Sequence, residues 1–210
     1  MADSRGLACA VALAMAAAVG CVGTAEVEQL RDVGVQSQGL RFEDNCSAHL
    51  LPGTVPQVEW AQERAYRRIR SAWDIYYSAP WSAEGDWAFG AGHDRKAVTT
   101  AMDTVVRFLD IEDHRGEQQI LYDCAPCSDP AFVAETTFLS PMVVRLCEPF
   151  WDRPTDDWVY VFQHEYFHWA LISDDIAYGN DAIELARTDP ALAVLNADNY
   201  AQYVDVVQSR

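Results

Sequence analysis

The pentapeptide His164-Glu165-Tyr166-Phe167-His168 gathers the residues of this chain best suited to chemistry. On a helix, positions i and i+4 share one face, so two imidazoles can point at a common ion while Glu165 projects beside them. That pattern suits one Zn²⁺, with the carboxylate positioned to activate a water, which is the chemistry of metal-assisted hydrolysis. The plainer alternative is a pair of core histidines in an aromatic helix. A catalytic zinc also needs a third protein ligand and one open position. Asp174 and Asp175 follow the expected helix end, where the macrodipole disfavours carboxylates unless a cation lies close. Both are candidates for that ligand, and capping of the next helix is their simpler use. His49, His93 and His114 have no partner at ligand spacing and read as surface or locally hydrogen-bonded histidines.

The pentapeptide needs a rigid helix and a scaffold to hold it. Thr155-Asp156-Asp157 supplies an N-cap and first-turn acids, predicting a helix from there to about residue 171. Apolar residues at helical spacing predict a scaffold helix over 55–77, through Val58, Ala61, Ala65, Ile69, Trp73 and Tyr76. Arg64, Arg67, Arg68 and Arg70 fall largely on its other faces and read as solvated. A second amphipathic helix is expected over 96–109, and the Gly- and Trp-rich stretch 81–93 between them reads as loop. The period then changes. Segments 119–122, 132–138 and 142–146 are β-branched and aromatic between turn signals, predicting a small sheet joined by cysteine-bearing loops. Helices over 181–187 and 190–206 close the chain, with Tyr200 and Tyr203 as packing aromatics.

Half of the 210 residues are apolar, enough for one well-buried domain, expected over 44–210. The net charge of -17 and pI near 4.4 repel nucleic-acid phosphates and anionic lipid, so a DNA or RNA role is excluded and cationic partners are favoured. Residues 1–20 read as an export signal: Arg5 in a short head, an apolar run over 7–19 too short to span a bilayer, then Gly20-Cys21. Ala18-Val19-Gly20-Cys21 resembles a bacterial lipobox, with Cys21 lipidated and the protein held at a membrane only by that anchor. Ordinary cleavage after Ala25 is the alternative and leaves a soluble, secreted product. Residues 21–43 form a flexible tether, too short for an independent covering domain. With Cys9 and Cys21 in the leader, Cys46, Cys124, Cys127 and Cys147 remain, an even count favouring disulfides in an exported domain. Cys124-Ala-Pro-Cys127 lacks the second CxxC of a zinc ribbon and the surroundings of a thioredoxin motif.

His164-Glu165-x-x-His168 followed by Asp175-x-x-Tyr178-Gly179 resembles the aspzincin signature of the deuterolysin family. Asn196-Ala197-Asp198-Asn199 resembles its lysine-specific, peptidyl-Lys metalloendopeptidase branch, and the likeness runs over about residues 46–204, taking in Leu146-Cys147 and Asp189-Pro190. The resemblance implies an α+β fold: a single zincin-like metallopeptidase domain, mainly helical with a small sheet. It implies a zinc endopeptidase holding one catalytic Zn²⁺ on His164, His168 and Asp175, with Glu165 as general base and Tyr178 stabilising the oxyanion. It further implies the pairs Cys46 with Cys124 and Cys127 with Cys147, protein or peptide substrates, and lysine at P1′ bound by Asp198. The export signal places the expected action outside the cytoplasm, and a monomer is the expected state. Two positions depart from the family pattern. Ile172-Ser173 replaces the usual Gly-Thr, Ser173 taking over the threonine's hydrogen bonding, and Ala201 stands where the lysine-specific branch has a second acid. A competing reading is a lipid-anchored surface binding protein that keeps the zincin shell without activity, and a third is a secreted toxin or effector protease with one narrow target.

Overall fold

The computed structural model describes residues 40–115, 120–136, 142–171 and 175–209, with side chains of the first segment taken as far as 110. The export signal, Cys21, most of the tether, the side chain of His114, Gln119 and the stretch with Ile172, Ser173 and Asp174 lie outside what the structure describes.

A short strand β1 (Arg41–Phe42) leads through a 3-10 turn into the long helix α1 (Thr54–Ser78). Its buried face is Val58, Ala61, Ala65, Ile69, Ala72 and Tyr76, the predicted stripe with Ala72 in place of the half-buried Trp73. Alanines at three of those positions let other helices approach closely. The arginines lie outward as expected: Arg67 pairs with Glu63, Arg68 with Asp205 and Arg70 with Asp110. Exposed pairs of this kind contribute about 1 kcal/mol or less each.

The stretch 81–93 is not loop throughout, because helix α2 (Ala83–Phe89) forms inside it. Ser82 Oγ accepts the Gly85 N–H at 3.1 Å, acids occupy the first turn, and Ala88 and Phe89 are fully buried. A local cap and two apolar anchors outweigh the loop-like composition. Gly90 ends the helix at φ +85°, and a Cβ there would stand 2.0 Å from the Ala186 carbonyl oxygen. Helix α3 (Arg95–Arg115) follows, starting where Asp94 Oδ1 accepts the Lys96 and Ala97 N–H groups and running past the predicted end at 109.

Strands β2 (Leu121–Asp123), β3 (Ala134–Glu135) and β4 (Val143–Leu146) join β1 in one sheet of order β1-β2-β4-β3. β1, β2 and β4 run parallel, and β3 pairs antiparallel with β4 at the edge. Sequence pattern misses β1 because two residues carry no alternation. Arg145 on β4 bonds Asp123 on β2 and Glu135 on β3, stitching three strands, and both carboxyls are held below their usual range. Disulfides Cys46–Cys124 and Cys127–Cys147 staple the loops at this sheet, in the pairing that the resemblance implies.

A one-turn helix α4 (Glu148–Trp151) precedes α5 (Thr155–Phe167), which carries the pentapeptide. Thr155 is the first helical residue rather than the N-cap, a place taken by Pro154, and Asp156 and Asp157 lie in the first turn as expected. The helix stops at Phe167 with His168 as C-cap, short of 171. Every residue from Phe162 to Phe167 is buried, as expected of a helix enclosed on all sides. α5 packs chiefly against α1 and against the last helix. The end of the chain forms α6 (Asn180–Thr188), α7 (Pro190–Ala193) and α8 (Ala197–Gln208). The single predicted helix over 190–206 is therefore broken: Asp189 caps α7 through the Leu192 N–H, and Asn196 has the extended backbone of a new helix start. Tyr200 and Tyr203 are buried in the core, as expected. The architecture is α+β, mainly helical with a small mixed sheet.

Candidate metal centre

α5 delivers His164 and Glu165 in its last turn, and His168 caps its end. The Nε2 atoms of His164 and His168 are 3.2 Å apart. Asp175 Oδ1 lies 3.0 Å from the first and 3.2 Å from the second. Three lone-pair atoms thus form a near-equilateral triangle, and Asp175 Oδ1 is buried with no hydrogen-bond donor outside that triangle among the described residues. A tetrahedral zinc with bonds of about 2.0–2.1 Å spaces its ligand atoms roughly 3.3 Å apart, so the residues present fit that ion. The electrostatics agree with a cation site. Burial works against charge on His164, yet the Asp175 and Asp198 carboxylates and Glu165 raise its pKa to about 10. Burial likewise opposes the charge of Asp175, but the two imidazoles hold its carboxyl well below the usual range.

Glu165 is 5 % exposed, and its Oε2 has no hydrogen-bond partner among the described residues. Burial raises its pKa, against the pull of the two histidines and the Thr136 hydroxyl. A buried carboxylate with an unspent oxygen beside the triangle can take a proton from a molecule in the site. A cleft of about 1040 Å³ opens over these groups, lined also by Thr136, Leu171 and Gln202. Tyr178 stands at its rim, 52 % exposed, with its ring stacked on His164 at 5.6 Å. Its hydroxyl donates to Asp175 Oδ2 at 2.6 Å. Burial and that carboxylate push the phenol well above its ordinary pKa, so it remains a donor.

Asp198 also borders the cleft, but it is 2 % exposed and both of its oxygens accept hydrogen bonds from the protein. Asn196 and Asn199 belong to the motif that carries the resemblance, but their structural roles are not legible from the sequence. Asn196 Oδ1 accepts the N–H groups of Ile176 and Ala177 at 3.0 and 3.2 Å, while its Nδ2 donates to the Ala177 carbonyl at 2.9 Å. This clamp fixes the segment between Asp175 and Tyr178. Asn199 Nδ2 donates to the carbonyls of Ala88 and Ala182, tying α8 to α2 and α6. Tyr160 donates to Asp198 and could have been noticed, since it lies four residues before His164 on the same face. Two other histidines have local partners: His49 stacks on Trp151, and His93 meets the Tyr76 hydroxyl and the Gly90 carbonyl.

Helices around a small sheet, with two histidines one turn apart and a third acidic donor closing the triangle, define a zincin-like domain. The family model described as lysine-specific metallo-endopeptidase, the aspzincins, matches residues 89–205, more than half of the chain. This chain belongs to that family. An extracellular protease of Aeromonas hydrophila is 34% identical over 104 residues, a match covering 47% of this chain and 30% of that protein. The chain therefore matches under a third of that relative's length. A zinc peptidase from Grifola frondosa shares the fold, with a TM-score of 0.58 and 22% identity over 71% of this chain and 92% of that one.

Proposed function

We propose that this chain is a zinc-dependent endopeptidase that hydrolyses peptide bonds in proteins or peptides. The observation that carries the reading is the His164–His168–Asp175 triangle with the unspent Glu165 oxygen beside it. Those three side chains would hold one Zn²⁺. When bound, Zn²⁺ supplies Lewis acidity, polarising the scissile carbonyl and acidifying water. Glu165 takes the proton from the attacking water and passes it to the leaving amine, which needs one carboxylate in reach of both. Tyr178 turns its hydroxyl from Asp175 towards the negative charge developing on the carbonyl oxygen. The buried wall of α5 shields Glu165 on every side but the cleft, which strengthens its interaction with a proton donor there.

Lysine at P1′ is the finer expectation, supported by the family's description and by the acidic balance of the chain. Action outside the cytoplasm is supported by the name of the Aeromonas relative and by two disulfides. Residues 1–20 serve as the export signal and those from 21 as a tether that ends before β1, since Arg41–Phe42 already pair in the sheet of the catalytic domain expected from 44 to 210, a monomer, with Cys21 as the lipid anchor. Labelling with a palmitate analogue tests that anchor, and absence of label on wild type removes it.

The central test is incubation of the zinc-loaded protein with a denatured protein substrate, with cut sites mapped by mass spectrometry. Cleavage that a chelator abolishes is expected. Stoichiometric failure to bind zinc, or no cleavage, would instead favour a zincin shell kept for binding.

A further inference from the structure

The cleft over the metal triangle extends well beyond it. Along α5 the residues that border the cleft recur at helical spacing, His168, Glu165, His164, Val161 and Tyr160, and the line ends at Arg153, two residues before the helix begins. Nine residues separate Thr155 from His164, so at about 1.5 Å per residue the start of α5 lies roughly 14 Å from the triangle. The expected lysine subsite falls on the same side, because Tyr160, one turn nearer the start of α5 than His164, donates its hydroxyl to Asp198. Arg153 therefore faces the part of a substrate that follows the scissile bond.

Among the described residues bordering the cleft, Arg153 is the one lysine or arginine. Apart from the base Glu165, the carboxylates there are engaged: Glu135 by Arg145, Asp175 by two imidazoles and Tyr178, Asp198 by Tyr160 and Gly179. The guanidinium of Arg153 is not. Its side chain is 46 % exposed and makes no hydrogen bond among the described residues, and the acid paired with it, Asp157, is itself exposed and stands 4.0 Å away. The planar fork of a guanidinium matches the two oxygens of a carboxylate. We propose that Arg153 is a specificity residue that takes a substrate carboxylate on the primed side of the cut. An extended peptide advances about 3.3 Å per residue, which sets the register at roughly three to five residues after the scissile bond. An Asp or Glu side chain supplies that group, and so does the free C-terminus of a short peptide. The inference rests on the reading of the triangle as a peptidase centre.

The zinc-loaded full chain is given C-terminally amidated peptides of equal net charge, with lysine at P1′ and one Glu moved from P2′ to P6′. Equal charge makes the acidic field of the protein act alike on all of them. Registers are counted from the cut as mapped by mass spectrometry. A peak in kcat/KM between P3′ and P5′ is expected, about 2–5-fold above the other positions, the size of a half-exposed ion pair. A second set lacks Glu and ends at P2′ to P6′, each peptide with a free or an amidated carboxyl. A peak in the first set assigns the side chain to Arg153, a peak in the second the chain end, and flat profiles in both overturn the inference. Arg153→Gln should flatten the profile, read as ratios within one protein so that any shared change cancels. A profile that stays peaked in that variant also overturns the inference. Arg153→Glu should move the preference to lysine in the same register, a gain that misfolding cannot produce. Cleavage of none of the peptides by the wild type overturns the peptidase reading and this inference with it, whereas cleavage with flat profiles strikes this inference alone.

Discussion

Replacing Glu165 with glutamine changes one atom and isolates its role. The side chain keeps its shape in a buried slot, loses its basicity, and leaves the ligand triangle untouched. Glu165→Gln is expected to retain stoichiometric zinc while kcat falls by roughly 10²–10⁴. Metal analysis beside single-turnover cleavage checks both halves, and a variant that cuts at the wild-type rate would place the base elsewhere. Tyr178→Phe makes a different cut. Its ring still stacks on His164, but the donor is gone, so kcat should drop by up to about 10²–10³ with little change in KM, the mark of an interaction made mainly in the transition state. A rise in KM at constant kcat would make Tyr178 a binding residue instead. At this scale the sequence is most readable where chemistry is local. The spacing of His164, Glu165 and His168 implies their shared face, whereas the partners of Asp198 depend on where α8 crosses α5.

The helices that long periodicity marks are the ones that form: α1 and α3 bury the stripes their spacing predicts. Short elements are decided by single residues. Ser82 starts α2, Gly90 stops it, and Asn196 splits α7 from α8, all inside stretches whose composition points to loop or to one continuous helix. Asn196 matters most for function because it grips the backbone that presents Asp175 and Tyr178. Asn196→Ala removes the partner of the Ile176 and Ala177 N–H groups and of the Ala177 carbonyl; Ile176 is exposed and Ala177 half-buried, so water replaces part of the loss and the expected destabilisation is about 1–2 kcal/mol. Thermal unfolding with and without excess zinc is the measurement. The variant should regain part of its stability with zinc, since a ligand that binds only the folded state pulls the segment back into place. An unchanged midpoint would show that the segment is held by something other than this clamp.

The whole molecule carries 32 acidic against 15 basic side chains, a charge of -17, and this surplus bears on how any lysine preference arises. Asp198 already accepts protein donors and Ala201 stands in place of a second acid, whereas a dedicated ammonium pocket uses carboxylates in direct contact as its parts. A diffuse negative field needs none, because it concentrates any cationic segment near the cleft and raises the association rate. The two origins respond differently to salt. The Debye length shrinks from about 14 Å at 0.05 M to roughly 4 Å at 0.5 M, so a field effect fades while a contact ion pair in a dry pocket survives. Peptides with lysine at P1′ are therefore expected to lose most of their advantage in kcat/KM over neutral analogues between those concentrations. Moving the lysine two residues further along the primed side should preserve much of the low-salt advantage, since a field is indifferent to exact register. Acidic peptides should show the opposite slope, improving as salt rises. A lysine preference that is strict in position and constant with salt would defeat the field account and require a carboxylate in direct contact with the substrate.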